Sequence, residues 1–260
     1  YSDGSLNKVL KTDPSIFHDL DWGVNTRSDW EAAKKRYVAG WHNISHGREA
    51  LASIRDRDYP AQVWFMGFFD KIRKLMGFEA TCTLFLEDPG LAKDMIDFWT
   101  EYLLEHARIL LEVFTPEMVE FTEDMAYNKG SMLPPRTVAE FFVPAYAKLA
   151  SFFNSKGADI ICVDSDGFPD ELIPILYDGG VNAWNPFEMV CRRGRDDLLT
   201  LGKKYPWLRM FGGMDKLALQ SGYKAIDEIV ALIPPLVARG GFIPTIDHKV
   251  QEEVPLEAYK

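Results

Sequence analysis

Five short apolar runs in this chain each stop at residues able to exchange protons or hold a cation. Met118 to Phe121 precedes Glu123 and Asp124, Ile160 to Val163 precedes Asp164 and Asp166, and Val181 to Trp184 precedes Asn185 with Glu188 shortly after. Leu208 to Phe211 precedes Asp215, and Phe242 to Ile246 precedes Asp247 and His248. Carboxylates beside an imidazole are the groups of general acid–base catalysis. Carboxylate oxygens with a nitrogen also suit magnesium, manganese or zinc, which makes Asp164 and Asp166 the candidate metal ligands. Each acid carries a second reading as a helix cap, Asp164 or Asp166 for a helix over 169–177 and Asp215 for a short helix after Met214. Glu123 and Asp124 are adjacent, so strand alternation turns only one of them into a shared pocket.

For these groups to meet, the runs must be parallel strands whose C-terminal ends share one face. The pattern supports that. Strands are expected over 62–66, 118–121, 159–163, 181–184, 207–211 and 241–246, alternating with helices over 136–155 (kinked at Pro144), 169–177, 195–203 and 222–239. Short loops between such elements imply right-handed crossovers. Asp88 and Pro89 fit the N-cap and first position of a long helix reaching Phe114, with a buried stripe that includes Met95, Trp99, Leu103, His106 and Leu110. Ser28 and Glu31 have capping-box spacing for a helix to about His42, and a second helix is expected from Arg48 to Arg57. The first 27 residues, with turn signals at Asp13-Pro14 and Asp21-Trp22-Gly23, take no regular assignment and read as an entry arm. The chain thus divides into an arm with helices over 1–60 and an α/β body over 61–260, together one domain.

The bulk numbers exclude several classes of function. With Lys+Arg 29 against Asp+Glu 39, the net charge of −10 opposes a nucleic-acid partner, which requires clustered cations. No run of about 18 uncharged apolar residues exists to span a membrane, and no signal-peptide pattern opens the sequence. Cys82, Cys162 and Cys191 form no paired motif, as expected in a reduced compartment, so a cytoplasmic location is expected. The aromatic-rich front half is the expected homodimer face.

Several segments in order resemble the uroporphyrinogen decarboxylase-like superfamily. They are Ala126-Tyr127-Asn128-Lys129-Gly130, Val163-Asp164-Ser165-Asp166-Gly167, Gly180-Val181-Asn182 with Pro186-Phe187-Glu188, Gly212-Gly213-Met214-Asp215-Lys216, and Gly240-Gly241-Phe242-Ile243-Pro244 with Asp247-His248. The resemblance covers roughly residues 60–260 and implies a (β/α)8 TIM-type barrel. Only six strands are visible where a closed barrel needs eight, so the expectation is a barrel lacking, or diverging in, its N-terminal strands.

The resemblance implies two chemistries. One branch decarboxylates porphyrinogens without a cofactor; the other moves methyl groups between small donors or thiols and a corrinoid. The arginine-containing N-terminal motif of the decarboxylases has no counterpart in residues 1–60, and a pocket rich in acids repels a polycarboxylate. Asp164-Ser165-Asp166 stands where the thiol-methylating branch carries a zinc-binding His-x-Cys, so soft ligands are replaced by hard ones. The reading that follows is methyl transfer from a small O- or N-methylated compound to a corrinoid. No Asp-x-His-x-x-Gly signature occurs, so the corrinoid is expected on a partner protein. In this reading Asp124, His248 and Tyr127 are the catalytic candidates, Glu123, Asn185, Glu188, Asp215 and Phe65 contact substrate, and Asp164 and Asp166 hold a divalent metal. The alternatives are decarboxylation of a porphyrinogen or smaller acid, with no cofactor, and a non-catalytic ligand-binding barrel.

Overall fold

The computed structural model describes residues 6–9, 11, 17–44 and 46–259. The Asp13-Pro14 turn signal lies outside them. Six parallel strands form the body: β1 (Gln62–Met66), β2 (Met118–Thr122), β3 (Ile160–Asp164), β4 (Ala183–Phe187), β5 (Arg209–Met214) and β6 (Phe242–Ile246). They lie side by side in chain order, each paired in parallel with the next. Their C-terminal ends, and the acids that follow, therefore share one rim.

The closed (β/α)8 barrel is not formed among the described residues. β1 and β6 are the two edges of an open sheet, because six strands do not supply the circumference that eight close. Among the described residues, helices cover one face of the sheet. There Phe65, Phe121 and Phe153 stack with Tyr146 and Phe68 into a core that runs from Val24 to Phe242. On the uncovered face Trp64 and Ile243 are 54% and 51% exposed.

The helices differ in detail from the sequence expectation, each time for a local reason. The long helix is Pro89–Leu110, opened by the Asp88 carboxylate accepting Leu91 N–H at 2.8 Å. The first helix, Arg27–Lys34, opens earlier than expected on a capping box of Thr26 with Asp29 in place of Ser28 with Glu31, and it stops at the Lys35 C-cap, short of His42. The second spans Gly47–Ser53. The entry arm contains an antiparallel hairpin, Leu6–Val9 with Phe17–Asp21. The expected helix over 136–155 begins at Pro135–Thr137, widens into a π-helical turn at Val138–Phe142 and continues as Val143–Asn154, so Pro144 sits in a first turn instead of an interior. Pro234 and Pro235 divide the expected 222–239 helix into Tyr223–Val230 and Ile233–Arg239. Two helices, Phe68–Met76 and Phe78–Glu87, fill the span between β1 and Asp88 that carried no assignment.

Candidate active site

The strand ends form an open cleft of about 440 Å³ whose lining includes Trp64, Asp70, Arg73, Asp124, Asp164, Asp166, Asn185 and His248. Asp164 is the last residue of β3, and alternation along Asp164-Ser165-Asp166 sends the two acids into the cleft and the serine inward. Ser165 is fully buried and its hydroxyl accepts the N–H groups of Met125 and Ala126 at 3.0 and 3.2 Å, which fixes the neighbouring loop. Burial pushes the Asp164 carboxyl up to about 7, with Glu120, Asp124, Asp166 and Asp70 adding like-charge repulsion. A carboxyl tuned to that value is a proton donor and acceptor at neutral pH.

Asp166 is also raised, by burial and by Glu188, while His248 opposes the rise; His248 Nε2 lies 3.4 Å from its carboxylate. Asp124 adopts a left-handed backbone, φ +46°, and accepts Arg73 Nη2 at 2.9 Å. Arg73 also donates to Asp70 at 2.6 Å, so this guanidinium is clamped between two acids. Asn185 donates through Nδ2 to Glu120 at 3.1 Å, and burial raises the Glu120 carboxyl. The cleft thus holds a protonatable carboxyl flanked by an Asp–His pair on one side and an Asp–Arg–Asp chain on the other.

The structure brings Asp124, Asp164, Asp166, Asn185 and His248 together and places the other sequence candidates elsewhere. Glu123 is fully buried: Phe68 and Phe69 N–H donate to it at 2.9 and 2.6 Å, and Tyr146 Oη donates as well. It caps the Phe68–Met76 helix across the chain, and burial raises its pKa to about 7. Asp215 accepts Leu217 N–H at 2.8 Å and Arg193 Nη2 at 3.1 Å, the capping role the sequence also allowed. Glu188 is buried; Lys216 Nζ at 2.7 Å and Gly167 N–H at 2.8 Å outweigh the effect of burial and hold its pKa below the usual value. Phe65 packs in the core on the opposite side of the sheet, against Phe121 and Phe153, because its neighbour Trp64 takes the cleft face. Tyr127 lies on a two-residue ribbon with its carbonyl accepting Phe168 N–H at 2.9 Å, outside the cleft lining.

Among the described residues no three His, Cys, Asp or Glu side chains converge as a metal-binding group. Asp164 and Asp166, the expected metal ligands, both line the cleft, with His248 Nε2 3.4 Å from the Asp166 carboxylate. Sequence reasoning missed Asp70, Arg73 and Glu120. The first two sit at i and i+3 of the helix that went unassigned, and Glu120 was hidden as a single acid within an apolar run.

No family model and no curated protein sequence matches this chain. Its fold resembles that of a methyltransferase of known structure. The enzyme, from Methanosarcina mazei, is similar in structure with a TM-score of 0.64 at 15% identity, over 99% of this chain and 73% of the other. At that identity the likeness concerns the fold alone. No helix among the described residues is long and apolar enough to cross a membrane.

Proposed function

We propose that the cleft catalyses methyl transfer from a small O- or N-methylated compound to a corrinoid carried by a partner protein. The observation that carries this reading is the position of Asp164 at the end of β3, in the cleft lining among Asp70, Asp124 and Asp166, where burial and like charge favour its protonated form. Demethylating an ether or amine breaks a carbon–heteroatom bond, and the departing alkoxide or amine must gain a proton. Asp164 supplies it. The methyl-accepting cobalt, when present, provides the nucleophile for the methyl carbon; no group of this chain needs to ligate it. The cleft admits a partner's acceptor, since the Asp124, Asp166 and His248 side chains are 40–46% exposed at its mouth. Asp166 orients His248, and the surrounding carboxylates with Trp64 favour a neutral or cationic donor.

Decarboxylation is the weaker reading. An acid substrate needs unpaired cations, and of those lining the cleft Arg73 is already paired with Asp70 and Asp124 and Lys74 with Asp70, which leaves Lys249 against the acids Asp70, Asp124, Asp164, Asp166 and Asp247. The test is incubation of the purified protein with reduced cobalamin and a panel of methoxy compounds and methylated amines. Formation of methylcobalamin with at least one donor supports the proposal, and its absence across the panel refutes it.

A further inference from the structure

Arg73 lines the cleft with only part of its hydrogen-bonding capacity used. Its Nη2 donates to Asp70 at 2.6 Å and to Asp124 at 2.9 Å, which occupies both hydrogens of that nitrogen. A guanidinium carries five N–H donors, so three remain, one on Nε and two on Nη1. Among the described residues these have no partner. They are also within reach of a ligand: the Arg73 side chain is 26% exposed, and neither nitrogen is a buried orphan of the kind that Arg57 Nε is.

The surrounding contacts hold these donors in place. Asp70 stands on the same helix, Phe68–Met76, whose first turn is fixed by the Glu123 carboxylate accepting Phe68 and Phe69 N–H at 2.9 and 2.6 Å. Asp124 donates its backbone N–H to Asp164 O at 3.4 Å, so a single residue separates the guanidinium from the strand end that carries Asp164. Donors fixed before binding lose little freedom when a ligand arrives.

Charge and hydrogen bonding come apart at this residue. Asp70 and Asp124 balance Arg73 and Lys74, and the remaining acids Asp164, Asp166 and Asp247 outnumber Lys249, so the cleft's charge opposes an anion. The unused N–H groups still require an acceptor, and a charged donor makes a strong bond to one. An ammonium group offers no lone pair. A neutral oxygen satisfies both conditions.

We propose that Arg73 sets the specificity of the cleft, its Nε and Nη1 donating to a neutral oxygen of the methyl donor, a hydroxyl, carbonyl or second ether oxygen set apart from the methyl-bearing atom. The proposal rests on the methyl-transfer reading for the nature of the ligand and narrows it to oxygenated donors.

Calorimetric titration of the whole protein without cobalamin, using matched methoxy compounds, tests this. Each set holds a plain compound, versions with a hydroxyl added at different positions, and versions with a carboxylate there instead. At one or more positions the hydroxyl should tighten binding about tenfold or more, and the carboxylate should bind no tighter than the plain compound. In Arg73→Met that preference should fall below about threefold, with the melting temperature as the folding control. If this variant does not fold, Arg73→Lys, which keeps the charge and loses the fork, replaces it. Equal binding of plain and hydroxylated compounds, a preference that survives in the variant, tightest binding by a carboxylate, or no binding by any compound would overturn the proposal. Because binding is read without cobalamin, a protein that shows the preference and forms no methylcobalamin refutes methyl transfer and leaves the role of Arg73 standing. Methylcobalamin formation without the preference does the reverse.

Discussion

Replacing Asp164 by Asn should make the protein more stable at alkaline pH while removing its activity. The carboxyl ionises near 3.8 in an unfolded chain and only near 7 in the folded one. Between those values the unfolded state loses its proton while the native state keeps it, so stability falls as pH rises, and above about 7 the deficit is complete. At about 1.36 kcal/mol per pH unit the interval corresponds to about 4 kcal/mol. Solvent reaches part of the carboxyl and its charged neighbours readjust, so the recoverable part is about 2 kcal/mol. Asn cannot ionise and keeps the backbone carbonyl that accepts Glu123 N–H at 2.8 Å. Urea unfolding should therefore give a gain of about 2 kcal/mol at pH 8 and almost none at pH 4. Methyl transfer in the same variant should fall by about 10²–10⁴-fold, the usual contribution of a general acid. A variant less stable than its parent at pH 8, or one shifted equally at both pH values, would show that Asp164 is an ordinary ionised carboxylate and refute the argument.

Three other perturbations have defined outcomes. Glu123→Ala leaves the buried N–H groups of Phe68 and Phe69 and the Tyr146 hydroxyl without their acceptor, and chemical denaturation should show a loss of about 3 kcal/mol. Lys216→Met strands the buried Glu188 carboxylate at a cost of about 3 kcal/mol at pH 7. Because Glu188 is lowered in the folded state, the stability its ionised form contributes is present above its unfolded pKa of 4.5 and lost as pH falls through the folded value, so melts in strong acid should find the two proteins alike. Arg73→Ala frees Asp124 and Asp70 beside Asp164, which raises the Asp164 pKa further; the alkaline limb of the rate profile should move to higher pH.

The sheet was legible because each parallel strand, buried on its helix face, reads as an apolar run, and because the polar residues after the runs mark the rim. Asp124, Asp164, Asp166, Asn185 and His248 were found that way. Glu123 misled, since an acid at a strand end looks the same whether it faces a cleft or reaches back to cap a helix more than fifty residues earlier in the chain. The fate of Asp215 was readable from the short helix beside it. The pairing of Arg73 with Asp70 and Asp124 was beyond reach without the Phe68–Met76 helix, whose mixed pattern gave no clear period. The six strands counted in the sequence are the six of the sheet, while the shortfall from a closed barrel was readable only as a missing count and not as a curvature.

If Asp164 protonates the leaving group during methyl transfer, single-turnover formation of methylcobalamin must follow the ionisation of its carboxyl across pH. With a methoxy or methylamine donor and reduced cobalamin, the rate should decline as pH rises through about 7, and Asp164→Asn should abolish that inflection along with most of the rate. Methylcobalamin formation that is independent of pH between 6 and 9, or unchanged in Asp164→Asn, would contradict the account.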